Sequence, residues 1–198
     1  MMIDRILAIV DAEIESAHAC FLTESEALRE EDDFQLDAAR EQLWISRDII
    51  PRHFINSLFT SIFALFEDEM VSVGELAGKK AEEATPFIKF KNGIGLSKVR
   101  LYMKRELQIS VESISSWQEI TYIKDLRNMI LHNNGRFEDR NPDAAQRLSR
   151  YIETCEGLTL DEFGHIVIDR QYLNHVTEVF RSFLKELFPK LEARRIAI

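Results

Sequence analysis

Residues 117–137 read WQEITYIKDLRNMILHNNGRF, and the spacing inside this stretch decides the fold. Ile120, Ile123, Leu126, Ile130 and Leu131 recur every three or four residues, the period of an amphipathic helix. His132-Asn133-Asn134-Gly135 supplies the stop, because Asn and Gly tolerate the left-handed conformation that closes helices. At about 100° per residue, Thr121, Asp125, Asn128 and His132 share one polar stripe. Arg127 falls instead within the arc held by Ile120, Ile123, Ile130 and Leu131. A cation on an apolar arc is costly unless it is paired, so Arg127 calls for a carboxylate or an anionic ligand.

The same period extends outward in both directions. Residues 3–30 carry it through Ile3, Ile6, Leu7, Val10, Ile14 and Leu28, with His18 and Cys20 close to the apolar side. The acidic run Glu30-Glu31-Asp32-Asp33 then marks a solvated turn or the start of the next helix. Residues 34–50 form that helix, offering Phe34, Leu36, Leu43, Trp44 and Ile49 for packing, and Pro51 breaks or kinks it. From Phe54 to Val73 the chain is apolar almost all round, which predicts a core axis or a subunit interface. Residues 74–93 read as a linker, with Gly74, Gly78, Pro86 and Asn92-Gly93. Gly93-Ile94-Gly95 lacks the glycine-lysine-serine ending of a phosphate loop. A helix over Gly95–Leu107 follows.

Beyond the central stretch, Pro142–Thr154 predicts a short helix. Alternation in residues 158–168, with Gly164 in the turn, predicts a small β-hairpin. Asp169 caps a terminal helix through Leu173, Val176, Phe180, Phe183 and Leu187, with Pro189 near its end. Four prolines and seven glycines are few for 198 residues. The expected architecture is therefore a single domain spanning 1–198, an all-α, mainly helical bundle with one hairpin near 158–168.

Charge is unevenly spread. Residues 1–78 hold five basic and seventeen acidic side chains, residues 79–105 eight and two, and the remainder twelve and fifteen. The overall charge of −9 opposes non-specific polyanion binding, so any RNA-binding face must lie in the basic segment, at Lys98, Arg100, Lys104 and Arg105. Cys20 and Cys155 show no pairing or metal-ligand spacing and read as free thiols of a reducing, cytoplasmic compartment. His165 and His175 also lack partners at ligand spacing, and no H-E-x-x-H or related set occurs, so no metal and no cofactor is expected. The apolar start is followed at once by acids, unlike a signal peptide, and no run reaches membrane-spanning length.

Arg127-Asn128, three residues and then His132 resembles the R-N-x-x-x-H signature of the HEPN superfamily. The apolar helix around Phe54–Val73, the basic segment Lys89–Glu106 and the closing Asn-Asn-Gly-Arg extend the likeness over residues 52–137. The resemblance implies an all-helical domain, a homodimer whose paired motifs line a shared cleft, and metal-independent endoribonuclease activity. It also implies a setting in toxin–antitoxin systems or antiphage defence, with a cognate antitoxin or regulatory protein as partner.

The residue types suit that chemistry. RNA cleavage without a metal needs a base for the 2′-hydroxyl, an acid for the leaving 5′-oxygen and a cation for the charge growing on phosphorus. Histidine titrates near neutrality and serves the proton transfers, while arginine offers a permanently charged planar fork to phosphate. Asn128, four residues before His132, can orient the imidazole or the phosphate. Glu67, Asp68 and Asn133 are candidate supports, the two acids as partners for Arg127. Arg127 and His132 lie about 140° apart around an ideal helix, so they converge only through distortion or a second subunit.

Other readings stay open. His132 in a last turn favours the helix dipole, Asn134-Gly135 ends the helix and Arg127 serves a buried ion pair. A catalytically silent HEPN-like module that binds RNA, a nucleotide or a protein partner, and a purely architectural helical dimer, both fit that pattern.

Overall fold

The computed structural model describes residues 33–81, 84–133, 135–137 and 142–194, with isolated positions between 12 and 23. The helix expected over 3–30, its His18 and Cys20, the acids at 30–32 and Asn134 lie outside the described residues. Two compact units divide the chain, residues 1–58 and 59–198.

In the first unit, helix α1 (Asp33–Trp44) runs into a π-helical turn, Ile45–Ile49, and helix α2 (Ile50–Lys80) begins directly after it. Pro51 therefore does not break the helix as its chemistry suggests. It occupies the first turn of α2, where its missing N–H costs little, and the wider turn ahead of it accommodates the ring. Trp44 is 55% exposed rather than packed.

The second unit contains the rest of α2, then α3 (Gly95–Arg105), α4 (Trp117–His132), α5 (Pro142–Thr154), strands β1 (Leu158–Leu160) and β2 (Ile166–Ile168), and α6 (Arg170–Ala193). The mainly helical fold with one small antiparallel hairpin is as the sequence predicts. β1 and β2 pair with Leu158 opposite Ile168 and Leu160 opposite Ile166. Asp169 caps α6, its carboxylate accepting from the amides of Gln171 and Tyr172.

α2 is not apolar all round. Phe59, Phe63, Phe66, Met70 and Val73 are buried, while Leu65, Asp68, Glu69 and Leu76 face outward. The buried face meets α6 in a cluster of aromatic rings. Phe66 stacks on Phe180 with centroids 4.0 Å apart, and Phe183 meets Phe66 edge-on at 5.9 Å.

Residues 74–80 belong to α2 rather than to a linker. Gly74 and Gly78 are there for close approach: a Cβ on Gly74 would sit 2.8 Å from the Phe87 ring, and one on Gly78 would fall on the Tyr102 hydroxyl. Tyr102 in turn donates to the Thr85 carbonyl at 2.7 Å, tying the segment after α2 to α3. The helix signal of the sequence is interrupted here by glycines that serve packing.

Candidate functional site

α4 spans Trp117–His132, with Ile120, Ile123 and Leu126 buried. The predicted stop holds: the Met129 carbonyl accepts from both the Asn133 and the Gly135 amides, and Gly135 takes φ +75°. The apolar arc is shorter than the sequence suggests. Ile130 is half-buried and Leu131 is 50% exposed, because the helix emerges from the core in its last turn.

Arg127 is half-buried, with its guanidinium carbon 5.7 Å from the centre of the Phe63 ring. Its Nη1 donates to Asn128 Oδ1 at 3.0 Å. Nε is buried without an acceptor among the described residues. Neither Glu67 nor Asp68 supplies the carboxylate expected for Arg127. Glu67 Oε1 instead accepts from the Leu96 amide at 2.9 Å, satisfying one of the open N–H groups at the start of α3. Asp68 faces outward.

His132 is exposed in the last turn of α4 and has no hydrogen-bond partner among the described residues. It thus presents an exposed imidazole, five residues beyond the Arg127–Asn128 pair. Asn133 follows as the C-terminal cap, its amide bound to Met129. On the polar stripe, Thr121 Oγ1 bonds back to the Trp117 carbonyl at 3.1 Å. Burial pushes the Asp125 carboxyl above its ordinary value, against the pull of Lys124 and Arg147.

The basic segment is partly engaged within the chain. Arg100 and Lys104 reach Glu112 Oε1 at 3.3 and 3.6 Å. Burial works against the Glu112 carboxylate, but Ser110, its own backbone amide, Lys104 and Arg100 together hold its carboxyl below the usual value. Lys98 lies 4.4 Å above the Phe87 ring. Arg105 is exposed. Leu96, Ser97, Arg100, Trp117, Thr121 and Lys124 line a cleft of about 230 Å³ between α3 and α4. Lys124 escapes a reading based on the basic segment alone. Its signal is the helical spacing 117, 121, 124, 128, which sets it one turn before Asn128.

A second constellation lies at the other end of α4. Glu119 Oε1 accepts from His175 Nε2 at 2.6 Å and from the Tyr151 hydroxyl at 3.1 Å. The Tyr151 hydroxyl is 3.3 Å from that of Tyr172. Burial raises the pKa of both phenols, and raises that of the Cys155 thiol. All of these except Tyr172 line an open cleft of about 650 Å³. The sequence gives no hint of this set, because Glu119, Cys155 and His175 are far apart in the chain and come together only through α4, the end of α5 and α6. His175, expected to stand without a functional partner, is a member of it.

The chain matches no protein-family model, no curated protein and no solved structure.

Proposed function

We propose that the chain is a metal-independent endoribonuclease of HEPN type, acting through Arg127, Asn128 and His132. The observation that carries the reading is the run of one helix: α4 borders a cleft bearing Arg100 and Lys124, then carries Arg127–Asn128, and ends on an exposed His132. RNA phosphates would bind along the cationic cleft and reach the end of α4. The Arg127 guanidinium would steady the phosphorane, with Asn128 fixing its orientation. His132 would move a proton between the 2′-hydroxyl, the phosphate and the leaving oxygen.

Each chain offers one such histidine, and the reaction needs both a base and an acid. A homodimer that sets two α4 ends side by side provides the pair and removes the 140° problem. Exposed Leu65 on α2 and Leu131 beside His132 are apolar groups that such an association would cover.

One observation favours the silent binding module instead: Arg127 turns toward Phe63 and Asn128 rather than outward. The experiment that separates the two compares wild-type protein with His132→Ala on varied RNAs. Catalysis predicts a loss of at least about 10²-fold with the folded spectrum kept, no inhibition of cleavage by EDTA, 2′,3′-cyclic phosphate ends, and resistance of RNA carrying 2′-deoxy at the cut site. Equal trace cleavage by both proteins selects the binding module. Light scattering tests the shared cleft, since a monomer of 23.1 kDa would remove it.

A further inference from the structure

We propose that Glu119, Cys155 and His175 form a binding site for a divalent transition ion of the zinc class, distinct from the Arg127–His132 end of α4. One ligand atom from each residue, a carboxylate oxygen, a thiol sulfur and an imidazole nitrogen, lies within 4.8 Å of the other two. No other group of three or more such residues comes together among the described residues.

The donor set fits the ion. Zinc takes thiolate, imidazole and carboxylate ligands in tetrahedral geometry, whereas calcium and magnesium prefer oxygen alone. With bonds of about 2.0–2.3 Å, tetrahedral ligand atoms lie about 3.3–3.7 Å apart. Glu119 Oε1 and His175 Nε2, now 2.6 Å apart, must open by several tenths of an ångström, the ion displacing to solvent the proton between them and the proton of the Cys155 thiol. All three side chains are half-buried on the wall of a cleft, so these are rotamer adjustments rather than rearrangements of the core.

Supporting groups are already in place. Tyr151 donates to Glu119 Oε1, and a hydrogen-bonded carboxylate is held in orientation for a ligating role. Tyr172 backs Tyr151 from the buried side. Three protein ligands leave a fourth position, which faces the cleft of about 650 Å³. Sites that hold zinc for chemistry keep one position open, while purely structural sites close all four. Glu119 and His132 are thirteen residues apart on α4, about 20 Å at 1.5 Å per residue. The site therefore stands or falls independently of the ribonuclease reading.

The test uses the full chain freed of metal by chelator dialysis, with Zn²⁺ and Co²⁺ alone as probes. The expected result is one Zn²⁺ per chain in equilibrium dialysis, and a thiolate-to-cobalt absorption band with Co²⁺. Cys155→Ser should abolish the band and Cys20→Ser should leave it. Glu119→Gln and His175→Gln should weaken Zn²⁺ binding by more than the roughly 10–100-fold typical of supporting residues, with unchanged circular dichroism. Three results would overturn the proposal: no saturable Zn²⁺ binding by wild type, no thiolate band, or a band that follows Cys20. Any of them would mean that the cluster is a hydrogen-bonded network only.

Discussion

Arg127→Met removes the charge while keeping an apolar stem against Phe63, and the structure sets the size of its effect. The charge-assisted bond from Nη1 to Asn128 Oδ1 is lost, at about 1.5–3 kcal/mol for a bond to a charged group. The approach to the Phe63 ring contributes about 0.5–1 kcal/mol more. Against these, the variant no longer buries an Nε that has no acceptor among the described residues, which returns about 1–3 kcal/mol. The net loss should be about 1 kcal/mol, within a span of about −1 to 3 set by those three terms. An arginine holding a buried carboxylate would behave differently, because removing it strands a charge at about 3–5 kcal/mol. Urea unfolding followed by circular dichroism distinguishes these outcomes. A loss above about 3 kcal/mol, the range for breaking a buried ion pair, would refute the assignment of Asn128 as the partner. If the small loss is observed, the folded variant becomes a clean probe of whether the guanidinium acts on RNA.

Other expectations follow from the contacts described. Glu112→Gln releases Arg100 and Lys104, so RNA affinity at low salt should rise and the log–log salt dependence should steepen, by close to one unit per new phosphate contact; unchanged salt dependence in filter binding would place the RNA face elsewhere. Reversing Lys98, Arg100, Lys104 and Arg105 together should abolish that binding. Asp125 has a carboxyl raised by burial, so the native state holds its proton to higher pH than the unfolded chain. Its contribution is then full below the unfolded pKa and lost as pH rises through the folded one. Asp125→Asn should accordingly be more stable than wild type at neutral pH, with the gain shrinking on acidification into the carboxylate range, measured as the difference in Tm between the two proteins. Gly74→Ala sets a methyl against the Phe87 ring and should cost about 1–3 kcal/mol, read from the same urea titration.

Periodicity made most of this fold legible, and local chemistry misled where two principles competed. The ends of α4 and α6 could be read because their stops and caps, Gly135 and Asp169, are local devices. Gly74 gave a wrong break, and at Pro51 the chain stays helical behind a wider π-helical turn instead of breaking. Each residue has a second use, at the first turn of a helix or beneath an aromatic ring, that only the packed chain reveals. Leu131 has the right spacing for the core, but spacing cannot say where a helix leaves it. The Arg127–Asn128–His132 motif was visible because its members are neighbours in sequence. The partner of Arg127 was not, since Glu67 is taken by the start of α3. The Glu119–Cys155–His175 cluster joins two helices and the residue after a third, and has no spacing to read.

The segment after α4 has a consequence for how the molecule opens. Residues 135–137 lie along β2: the Ile166 amide donates to the Gly135 carbonyl at 2.8 Å, and the Phe137 amide to the Gly164 carbonyl at 2.9 Å. Helix ends ordinarily fray one turn at a time, at nearly no free-energy cost. This end is stitched to the hairpin, so unwinding the turn that bears His132 should require residues 135–137 to part from residues 164–166 as well. In hydrogen exchange the amides of Asn133, Gly135, Phe137 and Ile166 should lose protection together, as one cooperative unit rather than as a gradient running back along the helix.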